Sequence, residues 1–392
     1  MTTRQYTMGL LAVTALLLGA AAAVNRVVDP FWYYRDYEIA GINAVKPKFA
    51  RFERYIKPRL LVREQPQAIV VGSSLSEVGF DAADPALSAN GQLKSYNFAF
   101  AGAGWDRVQC YFDYAVAASR LKRVVLEIAP GPLPTIECGG QLAEIADFSE
   151  LKLLLSLEVL RNSVLTVMEQ RQGESSHTRG GRYLYARNVP GVAARFHEYF
   201  SGLARSSPGC TLASVPAAPP PTRQFAAASI EPPAGLDLSG LRSVIRAARE
   251  QHIELRIFAR PLHALSLELD LLCGRLAEDW AALGAVARLI AEEAPQGGIE
   301  LWEFYNYNER TGEPVIGRDP ANWQDPTHFN YEMGSVMLAD MFSGGVEGAF
   351  GRRLKPDGMV DAYLAFLKGR EHYLAQHPRF YEELRSVLAP PH

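Results

Sequence analysis

The chain is poor in cysteine and carries no excess of charge of either sign. Its 392 residues include four cysteines, Cys110, Cys138, Cys210 and Cys273. They are widely spaced, with no CxxC and no Cys/His cluster, which argues against a zinc site. Cys138 and Cys210 stand in Gly/Pro-rich loop context, so an oxidising compartment could pair them; four free thiols is the open alternative. The 40 basic and 43 acidic residues leave a formal net charge of -3. That lacks the basic footprint of a nucleic-acid binder, so nucleic acid is not an expected partner. No internal repeat is visible. The AGAG run at 101–104 lacks the GxGxxG spacing of a dinucleotide loop. With 48% hydrophobic and 21% charged residues, the composition is that of a globular protein with a sizeable core.

Long apolar runs are also scarce: there is one. Met8 to Val24 (MGLLAVTALLLGAAAAV) carries no charge; Arg4 precedes it, and Asn25, Arg26 and Asp29 follow. Its length is at the low end for a membrane span. It is slightly long for the apolar part of a signal peptide, although Ala20 to Ala23 would suit a signal peptidase. A membrane anchor is the preferred reading, a cleaved signal the second and a buried core helix the third. The expected division is therefore 1–30 as anchor or signal and 31–392 as one α/β domain. The expected location is the inner (cytoplasmic) membrane, single-pass with the domain in the periplasm or outside, or a secreted form if the segment is cleaved. A cytosolic protein with an incidental apolar start is the remaining alternative. Phe31, Trp32, Tyr33 and Tyr34 follow at a depth that suits the membrane interface; packing on the domain is the other option.

From residue 67 the pattern alternates. Short apolar, β-branched runs at Gln67–Ser73, Ser95–Phe100, Arg123–Ile128, Ile253–Ala259 and Ile299–Phe304 read as strands. Between and after them, helical spacing of apolar residues predicts helices over 105–119, 148–169, 276–294 and 332–342, and one after Asp237, which can cap it. In the 148–169 helix, Leu153, Leu157, Leu160 and Val164 form one apolar stripe. Residues from Lys368 onward read as a surface helix with aromatics. Residues 172–233 lack periodicity and read as an irregular insertion or lid. Five strands alternating with helices predict a three-layer α/β/α sandwich on a parallel five-stranded sheet.

Four stretches carry candidate chemistry. Ser73 and Ser74 follow the first strand, where open α/β sheets place their sites. A serine there is a nucleophile only with an adjacent base; otherwise the pair is a turn and helix cap. Asp325 and His328, in Asp-Pro-Thr-His after the last strand, offer an imidazole base and a carboxylate to fix its tautomer. Taken singly they read as a turn residue and a surface histidine. Gly102, in the loop after the second strand, could aim an amide at an oxyanion, or simply make a turn. Arg260 and His263 follow the fourth strand and could line the same crevice. Arg260 suits an anionic sugar or carboxylate; a surface turn is the alternative.

VVGSSLSEVGFD, YNFAFAGAG and DPTHF, in this order after successive strands, resemble the blocks of the SGNH/GDSL hydrolase superfamily between about Gln67 and Phe342. The resemblance implies a flavodoxin-like fold, Ser74 as nucleophile, Asp325 and His328 as orienter and base, Gly102 as an oxyanion donor, and no cofactor. The N-terminal apolar helix running into VDPF, the Arg-Pro-Leu-His run and EFYNYN are similar to the membrane-anchored extracytoplasmic branch linked to cell-envelope polysaccharide acylation. That branch implies a serine esterase or O-acyltransferase, an acylated or acyl-accepting polysaccharide as partner, and a membrane acyl-transfer or export partner. The family's third block carries an asparagine that supports the oxyanion; here the strand end reads Leu126-Glu127-Ile128-Ala129-Pro130-Gly131. The resemblance therefore implies acyl chemistry in general rather than simple hydrolysis, with a glycan-binding accessory protein as the alternative.

Overall fold

A computed structural model describes all residues except 1, 141, 143–148, 172, 185–190, 207–214, 227–229, 233, 344–349 and 390–392. Its helices are α1 Thr3–Val28, α2 Glu53–Glu64, α3 Ser74–Gly79, α4 Trp105–Ala118, α5 Glu150–Leu155, α6 Leu157–Glu169, α7 Val192–Ser206, α8 Arg223–Ala226, α9 Ser239–Glu250, α10 Ala264–Leu272, α11 Arg275–Glu293, α12 Tyr331–Ser343, α13 Met359–Gln376 and α14 Phe380–Leu388. Its strands are β1 Ala68–Val71, β2 Ser95–Asn97, β3 Arg123–Ile128, β4 Glu254–Ala259, β5 Ile299–Glu303 and β6 Arg352–Leu354.

The strands form one sheet of six, in the order β2-β1-β3-β4-β5-β6. β1 to β5 are mutually parallel, and β6 adds antiparallel to β5. All five expected strands are present. The sixth corrects the count: three residues, Arg-Arg-Leu, are too short and too charged to show a period. β1 is wholly buried, as its unbroken AIVV run requires of a central parallel strand. α4, α9 and α11 pack in a row, and α3 packs on α12.

Several expectations change. The 148–169 helix is two helices, α5 and α6, broken at Ser156, whose hydroxyl caps α6 by accepting from Val159 N (Phe148 lies outside the described residues). Its apolar stripe splits as well: Leu153 is buried, but Leu157 and Val164 face outward. Within 172–233, α7 and α8 are helical, and Phe196 and Phe200 of α7 lie in the core. The residues from Lys368 onward continue α13 and form α14, surface helices whose inner faces enter the core. Phe366 on α13 packs on the buried Trp280, and Tyr373, Phe380 and Tyr381 are buried too. Phe31, Trp32 and Tyr34 are likewise buried, so they serve the domain.

Cys138 bonds to Cys110, not Cys210, tying α4 to the loop after β3. Cys273 is disulfide-bonded as well; Cys210 lies outside the described residues. Four free thiols are thus excluded.

α1 is long and apolar enough to cross a membrane, with a mean hydropathy of 2.1 over an eighteen-residue window of which 0% is buried. Its last turn, by contrast, belongs to the domain. Asn25 donates to the carbonyl of Leu154 at 2.8 Å and accepts from Ser163 Oγ at 2.9 Å. The buried Lys46 ammonium holds the carbonyls of Val28 and Asp29 at 2.8 and 2.7 Å. The Asp29 carboxyl then collects the amides of Tyr33, Tyr34 and Arg35.

Candidate active site

β1 ends at Val71, and the chain turns at once into α3, so Ser74 sits at the carboxyl end of a central strand, between β2 and β3. Ser73 is the helix cap: its Oγ accepts from Leu75 N at 3.2 Å. The turn is gripped from β3 by Glu127. One carboxyl oxygen takes Ser73 Oγ at 2.6 Å; the other takes Ser76 Oγ at 2.5 Å and the amides of Ser73 and Ser76 at 3.1 and 3.2 Å. Ser73 is thereby committed to structure, and the neighbouring Ser74 hydroxyl is left for other partners.

The opposite arm is a small hairpin tip. Trp323 and Phe329 form an antiparallel bridge, and Gln324 N donates to His328 O at 2.8 Å. At the tip, Asp325 Oδ1 accepts from Thr327 N, Thr327 Oγ1 and His328 N at 2.8, 2.9 and 2.9 Å. Its other oxygen lies 2.7 Å from His328 Nδ1. The proton of the ring therefore belongs on Nδ1, and Nε2 is an acceptor. His328 Nε2 lies 2.9 Å from Ser74 Oγ. Burial raises the Asp325 carboxyl, but the hydrogen bond and charge of His328, with the Thr327 and His328 amides, outweigh it and hold it well below the usual carboxylate range. An ionised partner that keeps the imidazole in one tautomer lets Nε2 take a hydroxyl proton.

The arms meet because α3 and α12 approach backbone to backbone at two glycines. A side-chain carbon on Gly334 would collide with the carbonyl oxygen of Gly79, and one on Gly79 with the ring of Phe329. Phe329, next to His328, is fully buried and packs edge-on against Phe80 at 5.5 Å. Beneath α3, the buried Lys57 donates to Glu77 at 2.5 Å and to the carbonyl of Ala99 at 2.6 Å. His177 lies 3.0 Å from Glu77 and 3.1 Å from Glu53. Burial pushes the Glu77 carboxyl up, and the Lys57 charge, with His177, more than reverses it. Glu53, Glu77 and His177 have the spacing of a metal cluster, but the Lys57 ammonium already supplies the cation, so the group reads as structural. Asn97 of β2 completes the frame, donating to the carbonyls of Ser76 and Phe80 at 2.9 and 2.7 Å.

Gly102 has φ +66, a left-handed value that suits glycine, in the loop after β2. Among the described residues, neither its amide nor that of Ser74 has a hydrogen-bond partner. A cleft of about 780 Å³ runs beside the hairpin, reaching Val78 one turn along from Ser74, with Trp323, Gln324, Tyr331, Arg182 and Arg195 on its walls. Arg195 of α7 donates to Gln324 O at 2.8 Å, so the 172–233 segment forms one side of that cleft.

Of the two secondary candidates, His263 is committed to structure. His263 is buried, with Nδ1 accepting from Leu265 N and Nε2 bonded to Glu313 O at 3.0 Å. Burial lowers its pKa to about 3. It is a neutral prop for Trp323, whose ring it meets edge-on at 5.4 Å. Arg260 is partly exposed and acts electrostatically on Asp270, Asp279, Tyr199 and Tyr305. Glu127 and Lys57 are the functional neighbours that sequence reasoning missed. A lone acid inside RVVLEI was a signal for the first; nothing marked the second.

No protein-family model matches this chain, and no curated protein does.

Proposed function

We propose that this is a membrane-anchored serine acyl-ester enzyme, a hydrolase or O-acyltransferase of SGNH type, acting on glycans outside the cytoplasm. The observation that carries the proposal is the chain of contacts Asp325–His328–Ser74, at 2.7 and 2.9 Å. Ser74 Oγ attacks the acyl carbon while His328 Nε2 takes its proton. The amides of Ser74 and Gly102 receive the oxyanion. The leaving alcohol departs with the proton from His328, and water or a sugar hydroxyl then takes the acyl group from Ser74. Asp325 orients the ring and balances its charge.

Three further observations support the reading. The first five strands follow the order 2-1-3-4-5 of doubly wound sheets, with Ser74 at the switch point between β1 and β3, which favours the three-layer α/β/α architecture. The Cys110–Cys138 bond suits an oxidising compartment. The hydropathy of α1 suits an anchor that holds the domain there. Arg260 keeps its proposed role as a positive charge at the edge of the site.

One observation favours a second reading, a glycan-binding accessory protein of a modification or export complex. Where the resemblance places an oxyanion-supporting asparagine, Glu127 presents a carboxyl that accepts hydrogen bonds rather than donating them. A fluorophosphonate probe separates the two. Covalent labelling at Ser74, absent from Ser74→Ala, followed by acetyl release or transfer from an O-acetylated oligosaccharide, is the expected result. An unlabelled Ser74, with a control esterase labelled in the same tube, would sink the covalent mechanism.

A further inference from the structure

α6 is built inside out. Residues 157, 161, 164 and 168 share one helical face, and Arg171 follows in the turn just past its end. On it Leu157 is 79% exposed, Val164 49% and Met168 73%, with Arg161 exposed among them and Arg171 exposed beyond them. The buried face carries Asn162, Ser163 and Thr166 beside Val159. A helix on a water-facing surface has the reverse pattern. Leu151 of α5, 65% exposed, extends the apolar surface, and the exposed Glu158 lies to one flank. A single exposed leucine needs no explanation; an outward apolar stripe over an inward polar one does.

The position of the stripe identifies its occupant. α5 and α6 both pack on α1, and Asn25 of α1 holds the carbonyl of Leu154, just before the α5–α6 junction, and the hydroxyl of Ser163. The stripe therefore flanks the point at which the bare apolar length of α1 leaves the domain. Arginines within such a stripe can keep their heads among phosphates while their stems lie in the apolar layer.

We infer that α5 and α6 form an in-plane lipid-contacting element. Leu151, Leu157, Val164 and Met168 sink into the interface of the bilayer that α1 enters, and Arg161 and Arg171 reach its phosphates. The inference rests on the reading of α1 as an anchor. The test uses the full chain reconstituted in phosphatidylcholine vesicles, with lipid brominated high on its acyl chains as quencher. Tryptophan is added singly as Leu157→Trp, Met168→Trp, Lys368→Trp on the exposed side of α13, or Leu16→Trp within α1, and the native emission is subtracted. The emission from 157 and 168 falls by about half or more in brominated lipid, and that from 368 does not change. Quenching at 16 without quenching at 157 and 168 overturns the inference and leaves the anchor standing. A blue shift at 157 and 168 without quenching means that protein covers the stripe, which also overturns it. No quenching at 16 removes the anchor and the inference together.

Discussion

Gly334→Ala probes how the two halves of the site are held together. Gly334 lies on α12, five residues beyond the bridge that closes the Asp325–His328 tip, and its neighbour across the contact is the backbone of Gly79, five residues after Ser74. The obstacle to a methyl group is a carbonyl oxygen in a helix, which cannot rotate away as a side chain would. The helices must part by roughly 1 Å, and a displacement of that size at a reacting group costs about a hundredfold in rate. Overpacking of this kind costs about 1–3 kcal/mol, which in a chain of this size lowers Tm by only a few degrees. The assay is the second-order rate of fluorophosphonate labelling at Ser74, read beside thermal unfolding. Gly369→Ala is the control: it lies in α13 with nothing near its Cβ position, so it leaves labelling unchanged and stabilises slightly. A Gly334→Ala chain that is folded and labels at the wild-type rate refutes the claim that the glycine contact sets the distance from His328 to Ser74.

Two further outcomes follow from the structure. Burial and the nearby Asp270 push the Asp279 carboxyl up to about 7. Folded chains thus hold that proton more tightly than unfolded ones, so stability falls as pH rises from about 4 towards neutrality and levels off above it. Glu303, raised to about 7 by complete burial against the pull of Arg352, acts with the same sign. Tm measured across this range should decline, and Asp279→Asn should flatten part of the decline; an unchanged slope would count against the assignment. Cys110→Ser opens a loop of 28 residues, worth roughly 3–4 kcal/mol on loop entropy. Its Tm should drop to that of the reduced wild type at this bond, and no loss of Tm would contradict the role given to the bond.

The sheet was the legible part of this chain. Buried parallel strands must be apolar on both faces, so AIVV and VVLEI stood out as runs, and the turns after β1 and β5 put Ser74 and His328 at one edge. Local chemistry also exposed the Asp-x-x-His tip, since one carboxylate can serve both the turn amides and the ring only at that spacing. What hid was whatever depends on distant pairing. Nothing in the sequence near Lys57 says that Glu77 will neutralise it, and Cys110 meets Cys138 only once α4 and the loop after β3 are folded. The stripe over 148–169 was seen as continuous but is divided between α5 and α6, and periodicity reports that a helix has an apolar face but says nothing about what lies against it. His263 shows the converse: its position after β4 was right for a site, and its burial made it a strut.

The junction at Asn25 and Asp29 limits the motion of the domain. An enzyme on a flexible tether sweeps a volume set by the length of its linker, and its local substrate concentration falls as that volume grows. Here the helix runs straight into hydrogen bonds from Lys46, Asn43 and Ser163, with no slack residue between. With α1 in a bilayer, the mouth of the site keeps a fixed height and heading, and its search reduces to drift and rotation in two dimensions. Lengthening the junction by a few glycines would change how far from the bilayer the site can reach while leaving the Asp325–His328–Ser74 distances intact.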